Sequence, residues 1–257
     1  MRKRISRLGW AIAAAAVALV ALPACAGTEL TAVTHVDTAG KKMPKLGDVQ
    51  VQLRVDGTRA RAEYRQSALG SIPVGSVLVT EDGARTAKLY NIEDKTCAAA
   101  PSPLAASSAS AAPMQVEDIR IDQTLDQPGG KIAGLKTRHR RFEMSYTTSA
   151  APGAKPVRTH VTLEVWSAAS LADPAYALWL APAQRTGNAE LDRRLGEAMA
   201  GARGAALKRI QRTSLQSENG PERSATSTLE VTRLVQRKFA ATDLDPPFAC
   251  RIGPSRE

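Results

Sequence analysis

Aromatic residues are scarce in this chain: Phe, Trp and Tyr make up 4% of its 257 residues, and it has three histidines and three cysteines. The motifs that mark common reactions are also missing. There is no G-x-S-x-G elbow, no S-x-x-K, no H-E-x-x-H and no EF-hand loop. We therefore expect neither an enzyme nor a protein with a metal or another cofactor. The sequence alone names no activity.

The first 26 residues predict export. Four basic residues within the first seven positions precede a short apolar run over residues 11–22, and Pro23-Ala24-Cys25-Ala26 follows. This order is typical of a secretory signal peptide. The run is shorter than the roughly 20 residues that a bilayer core requires, and no second candidate span follows. A retained membrane anchor is therefore not expected.

Two processing routes remain open for this leader. Ala24-Cys25-Ala26 fits a cleavage site that would release a periplasmic chain starting at Gly27. Alternatively, Leu22-Pro23-Ala24-Cys25 resembles a bacterial lipobox, in which Cys25 is acylated and becomes the N-terminus. Pro23 fits that pattern poorly. The second route predicts an anchor in the outer membrane, since Ala26 rather than Asp follows the cysteine.

Composition predicts one β-rich domain over residues 27–257. Removing the leader takes away four basic residues and no acidic one, so the net charge falls from +10 to +6. Such a charge favours anionic surfaces, which the bacterial envelope offers as lipid head groups. Nucleic acid is not expected for an exported chain with few aromatics. The candidate head-group contacts form the densest basic cluster, which could equally be a solvated strand: Lys136, Arg138, Arg140 and Arg141.

Cysteine usage predicts a disulfide. If Cys25 is removed or acylated, Cys97 and Cys250 remain as an even pair in an oxidising compartment. We expect them to bond to each other, the alternative being two buried thiols. Neither flank has the C-x-x-C spacing of a redox or zinc site.

Alternating residues predict antiparallel strands. Val49, Val51, Leu53 and Val55 alternate with polar residues, and Asp56-Gly57 supplies a hairpin turn. Residues 29–37 predict an opening strand, and similar patterns at 76–80 with 86–91 and at 138–146 with 157–167 predict two more hairpins, before a strand at 226–232. In the 138–167 hairpin we expect two charged pairs across the strands: His139 with Glu164, and Glu143 with His160.

Two segments predict helix and one predicts a loop. Asp173-Pro174 can start a short apolar helix that ends before Pro182, and Asn188 can cap a longer helix to about Arg212. Residues 98–113 are almost entirely Ala, Ser and Pro. They carry too little apolar surface to offset the entropy of ordering, so we expect a disordered loop inserted within one sheet, the alternative being a domain linker.

The order of these elements resembles the LolA/LolB-like periplasmic lipoprotein carriers, as an uncharacterised branch. The resemblance covers most of the chain after the leader, in short motifs. These are Val55-Asp56-Gly57 to Arg61, Leu89-Tyr90-Asn91 before Lys95, Gly134, Glu164-Val165-Trp166, and Glu230-Val231-Thr232 before Phe239. The Ala/Ser/Pro segment and the cysteine pair are departures from the carrier pattern.

The resemblance implies a curved antiparallel sheet, or incomplete β-barrel, whose concave face is covered by helices and holds acyl chains. The candidate ligand-binding residues are those of the sheet and of the short apolar helix: Val51, Leu53, Val161, Leu163, Tyr176, Trp179 and Leu180. We expect this helix, with Leu178, to plug the sheet. The alternative function is a protein-interaction or envelope-sensing module whose core is filled by its own side chains.

Overall fold

The computed structural model describes residues 27–39, 47–67, 72–100, 115–149, 155–183, 186–218 and 220–250. The leader with Cys25, and residues 101–113, lie outside these ranges. In the described part of the chain, eleven antiparallel strands form one sheet that does not close, and helices are few. The predicted fold class, a mainly β protein with an open antiparallel sheet, is confirmed.

The strands follow one another in a simple order. In chain order they are β1 (Gly27–Ala39), β2 (Val49–Asp56), β3 (Arg59–Gln66), β4 (Val77–Thr80), β5 (Ala87–Asn91), β6 (Thr96–Ala100), β7 (Gln115–Ile132), β8 (Leu135–Ser149), β9 (Val157–Ala168), β10 (Ala205–Ser217) and β11 (Arg223–Arg237). Across the sheet the order is β6-β5-β4-β3-β2-β1-β11-β10-β9-β8-β7. The first and last strands therefore pair at the centre, and β6 and β7 form the edges.

Within the described ranges, four short helical elements accompany the sheet. They are a 3₁₀ turn (Pro174–Tyr176), α1 (Ala177–Leu180), α2 (Ala189–Ala198) and a second 3₁₀ turn (Ala241–Leu244). The first three lie between β9 and β10. They pack on one face of the sheet, which we call the inner face.

The strand register carries one apolar surface across the inner face. Residues opposite each other in an antiparallel pair lie on the same side of the sheet. Leu30 of β1 faces Leu53 of β2, and Phe142 of β8 faces Leu163 of β9. All four are at most 1% exposed. The alternation seen in the sequence of β2 therefore extends over most of the sheet.

The predicted helix from Asn188 to about Arg212 is wrong in its second half. The helix ends at Ala198, and β10 begins at Ala205. Gly204 makes the turn between them with φ +81°, and a Cβ there would lie 2.0 Å from the carbonyl oxygen of Ala168. Only glycine fits this close approach. The chain therefore leaves the helix and re-enters the sheet within a few residues.

The predicted loop at 98–113 is wrong at its start. Ala98, Ala99 and Ala100 belong to β6 and pair with β5. Alanine side chains contribute little there, and the backbone ladder accounts for the strand. The remaining residues of the predicted loop, 101–113, lie outside the described ranges.

The C-terminal segment, residues 238–250, crosses the other face of the sheet, which we call the outer face. Arg59 forms an ion pair with Asp245 at 2.6 Å, and Arg61 donates to the Asp245 carbonyl at 2.8 Å. Further on, the ring of Phe248 meets Tyr90 edge-on at 5.3 Å between centroids. The C-terminal segment thus connects the end of β11 with β3 and β5, which lie towards the β6 edge of the sheet.

A disulfide joins Cys97 of β6 to Cys250, with 5.7 Å between the Cα atoms. The predicted pairing is therefore present. It fixes the far end of the C-terminal segment to an edge strand, across 153 positions of sequence.

We predict that replacing both cysteines by serine, Cys97→Ser with Cys250→Ser, lowers the free energy of unfolding by about 2–5 kcal/mol. The reason is that the bond closes a long loop in the unfolded chain and reduces its entropy. Urea unfolding of the two proteins, each with and without reductant, measures the difference. The reductant should affect only the parent protein. Free thiols at both positions in protein recovered from the periplasm, found by non-reducing peptide mapping, would contradict the prediction.

Candidate functional site

A helical cover lies over the inner face. It consists of the 3₁₀ turn Pro174–Tyr176, α1 and α2. Pro174 starts it as predicted, but Asp173 makes no capping hydrogen bond through its side chain. Asn188 does cap α2, because its side-chain oxygen accepts from the backbone N–H of Leu191 at 3.0 Å. The cover therefore begins at Pro174, and α2 begins after Asn188, as the sequence predicts. The end of α2 is the part that the sequence did not predict.

The first part of the cover packs on the central strands. Tyr176, Leu178 and Leu180 are at most 4% exposed and form one apolar cluster with Val51 and Leu53. We call this the α1 cluster. It also includes residues of β10 and β11. The expected packing of the apolar helix on Val51 and Leu53 is thus present.

Two aromatic side chains fix this part of the cover more specifically. The Tyr176 hydroxyl donates to Oγ1 of Thr28 at 2.7 Å, and burial raises the pKa of that tyrosine. Trp179 is half-buried and meets the ring of Tyr64 edge-on, with 5.5 Å between centroids. Its indole N–H is buried and has no hydrogen-bond partner among the described residues. Trp179 is therefore held by packing rather than by hydrogen bonding.

The second part of the cover packs elsewhere. Leu195 and Met199 form a separate cluster with Phe142, Val161 and Leu163, which we call the α2 cluster. Val161 and Leu163 therefore do not share one cluster with Trp179 and Leu180, and the prediction that the short apolar helix packs on all four sheet residues of the candidate site is wrong. The candidate site is therefore divided: the sheet residues of the α1 cluster come mainly from β1, β2, β3, β10 and β11, whereas those of the α2 cluster come mainly from β8 and β9.

Arg209 of β10 lies between the two clusters, on the inner face. Its neighbours across the strands are Val165 of β9 and Leu229 of β11, and Arg209 is only 4% exposed. Nη1 donates to the Ala181 carbonyl at 2.9 Å. Among the described residues, no carboxylate lies within 4.0 Å of the guanidinium. Burial lowers the pKa of Arg209 to about 10, so it stays protonated at neutral pH.

The inner-face positions of β10 become more exposed along the strand. After Arg209 come Gln211 and Thr213, which are half-buried, and then Leu215, which is 38% exposed. Ser227 of β11 lies opposite Gln211. We call Arg209, Gln211, Thr213 and Ser227 the polar strip. It leads from beneath the cover to the uncovered end of the sheet.

The cavities beside the sheet are small. One of about 110 Å³ lies beside the start of the cover, lined among others by Leu171, Pro174 and Leu180. Another of about 280 Å³ lies away from the cover, beside Thr147 and Arg158, which belong to the outer face of β8 and β9. Ligand pockets usually measure about 300–1,000 Å³. Binding of a long acyl chain would therefore require the cover to move.

The predicted basic cluster does not form one surface. Arg138 and Arg140 lie on the same face of β8, and both pair with Asp126 of β7. Arg141 points to the opposite face and pairs with Glu143 at 2.6 Å. Lys136 is exposed near the β7–β8 turn. Because neighbouring residues of a strand alternate between faces, Arg141 cannot form one head-group patch with Arg138 and Arg140.

The expected charged pairs on the outer face are present. His139 Nε2 lies 3.2 Å from Oε2 of Glu164, and His160 Nε2 lies 3.3 Å from Oε2 of Glu143. His139 also stacks on Trp166, with 3.9 Å between ring centroids. These contacts give both histidines a structural place in the β8–β9 pair.

No helix in the described ranges has the length and hydropathy to cross a bilayer. The same ranges contain no group of three or more His, Cys, Asp or Glu side chains that could hold a metal ion.

Fold and site together define a class: an open antiparallel sheet with one apolar face beneath a short helical cover. Comparisons of the chain with protein-family models, with curated proteins and with solved structures find no match. The resemblance to LolA/LolB-like carriers stays a prediction from the sequence.

We predict that Tyr64 and Trp179 are energetically coupled, whereas Trp179 and Phe142 are not. An edge-on aromatic pair contributes roughly 0.5–1.5 kcal/mol beyond burial, and side chains in separate clusters usually add within about 0.5 kcal/mol. Double-mutant cycles with Trp179→Ala, using Tyr64→Leu in one and Phe142→Leu in the other, measure the two couplings from urea unfolding. Equal couplings in both cycles would contradict the division into two clusters.

Proposed function

We propose that this protein is exported to the bacterial envelope and binds the acyl chain of a lipid against its inner face. The observation that carries the proposal is the helical cover over the two apolar clusters of the inner face. Tyr176, Leu178 and Leu180 shield the α1 cluster, and α2 shields the α2 cluster. If the cover is displaced, the exposed surface is apolar and broad enough for an alkyl chain, which gains stability from leaving water.

The way the cover is attached supports displacement. Its core contacts are apolar side chains, which can be exchanged for the methylene groups of a ligand at little net cost, because both surfaces are hydrocarbon. The hydrogen bonds that join it to the sheet include Tyr176 to Thr28 and Arg209 to Ala181. α1 is four residues long, too short to be a stable helix without tertiary packing.

A second function is supported by the size of the cavity beside the cover. The cover fills the inner face with its own side chains, and that cavity measures about 110 Å³. A permanently filled sheet would serve as an interaction or sensing module in the envelope. Under this alternative the cover is part of the core and no lipid binds beneath it.

We predict that palmitate binding changes the fluorescence of Trp179 and leaves that of Trp166 unchanged. Trp179 belongs to the cover, whereas Trp166 stacks on His139 at the outer face. In the chain from Gly27 onwards, Trp166→Phe leaves Trp179 as the sole tryptophan, and Trp179→Phe leaves Trp166. Titration of the two variants with palmitate, followed by emission spectra, should shift the maximum in the first variant alone.

Stability measurements complete the test. The change Leu180→Ala should lower the free energy of unfolding by about 2–5 kcal/mol, since Leu180 is fully buried. If the cover is a gate, this variant should also bind a fluorescent fatty acid with altered affinity. The matched variant Leu53→Ala removes the same group from the sheet side of the same cluster. Absence of fatty-acid binding by the parent and both variants, together with no lipid extracted from the purified protein, would reject the carrier function.

A further inference from the structure

The side chain of Arg209 is a buried charge with apolar neighbours. A guanidinium has five N–H donors and no acceptor, and that of Arg209 is charged at neutral pH. Within the described chain its side-chain hydrogen bond is the one to the Ala181 carbonyl, and Val165 and Leu229 flank it. A buried charge without a counter-ion is costly, and an opposite charge brought to it offsets that cost.

The polar strip connects this charge with the uncovered end of the sheet. Gln211, Thr213 and Ser227 are half-buried and can form hydrogen bonds with oxygen atoms of a head group. Apolar clusters lie on both sides of the strip, one beneath α1 and one beneath α2. A head group on the strip would therefore have hydrocarbon surface beside it for its chain.

We propose that Arg209 binds the head group of the ligand, and that the ligand is an amphiphile with an anionic head group, a carboxylate or a phosphate. This inference rests on the proposed function, because it assigns the ligand class of the same site. The guanidinium matches both anions, since its planar N–H groups can donate two parallel hydrogen bonds to their oxygens. The head group would take the place of the Ala181 carbonyl as the hydrogen-bond acceptor of Arg209. Ala181, which directly follows α1, would then lose this bond to the sheet.

A merely structural role for Arg209 makes a different prediction. If Arg209 only anchors the cover through its hydrogen bond to Ala181, replacing Arg209 alters the cover. The affinity for all amphiphiles then changes to the same degree. If Arg209 binds the head group, its removal selectively weakens anionic ligands. The ratio of affinities for charged and neutral ligands of equal chain length separates the two roles.

The experiment uses four ligands with the same 16-carbon chain, each competing with a fluorescent fatty acid. Palmitate and hexadecanol differ in the carboxylate, and 1-palmitoyl lysophosphatidic acid and monopalmitoylglycerol differ in the phosphate. We expect the parent protein to prefer the anionic member of at least one pair by about tenfold or more, because hydrogen bonds to charged groups are strong. The pair that shows the larger preference identifies the anion.

Arg209→Met is expected to reduce the preference to about onefold. It replaces the charge by an apolar side chain of similar length, a change that folded proteins often tolerate at buried ion sites. Arg209→Lys should keep part of the preference, because it keeps the charge without the planar donors. The matched control is Arg212→Met. Arg212 lies on the outer face of the same strand and pairs with Glu164 at 2.7 Å, so its loss should leave the preference unchanged.

The outcomes of this experiment separate a failure of the proposed function from a failure of the inference about Arg209. If the parent binds neither member of either pair, the proposed function fails. If the parent binds charged and neutral ligands equally, the proposed function stands and the inference about Arg209 is wrong. The inference is also wrong if Arg209→Met keeps the preference. If that variant does not fold, the parent's preference and the reduced preference of Arg209→Lys decide the question.

Discussion

The inner face of the eleven-stranded sheet carries two apolar clusters with the polar strip between them, and the sheet does not close on itself. In the described structure these clusters are kept from water by the segment between β9 and β10, together with the β7–β8 turn, whose Ile132 and Leu135 pack against the α1 cluster. The arrangement of the helices follows from this requirement. The 3₁₀ turn and α1 cover the central strands, and α2 covers the strands near β7. Under the proposed function, the same surface becomes available to a lipid when the cover moves.

The outer face meets a different demand. It carries charged side chains in cross-strand pairs, such as His139 with Glu164, and the C-terminal segment protects the apolar patch around Tyr90. The Cys97–Cys250 disulfide holds that segment in place. Because one face is tied down by ion pairs and a covalent bond, motion of the cover on the other face need not disturb the sheet.

Much of the sheet could be predicted from the sequence, because alternation at β2 and at the β8–β9 pair is local and strong. The expected pairing of β8 with β9 also predicted the contact between His139 and Glu164. The segment after Asn188 could not be read correctly, because Leu195 and Ile210 also fit a helical period. The turn depends on Gly204 approaching the end of β9, a contact between distant positions. The division of the site into two clusters likewise depends on the strand order, which alternation does not reveal.

Arg209 was missed for a related reason. If the predicted helix extends to about Arg212, Arg209 is one of several cations expected at its surface. Read as part of β10, it falls on the same side as Leu207 and Gln211, and a cation at an inward position is the signal of a site. The assignment of a strand rather than a helix thus decides whether this residue attracts notice. Its burial then follows from the cover, which only the folded structure shows.

Hydrogen–deuterium exchange of the cover, with and without palmitate, tests the central claim most directly. If the cover is a gate, amides of residues 175–180 and 189–198 should exchange faster than those of β2 in the free protein, since gating elements open more easily than the core. Palmitate should change exchange in the cover and leave β2 unaffected. Exchange of the cover as slow as that of β2, unchanged by palmitate, would show that the cover is a permanent part of the core and would contradict the account.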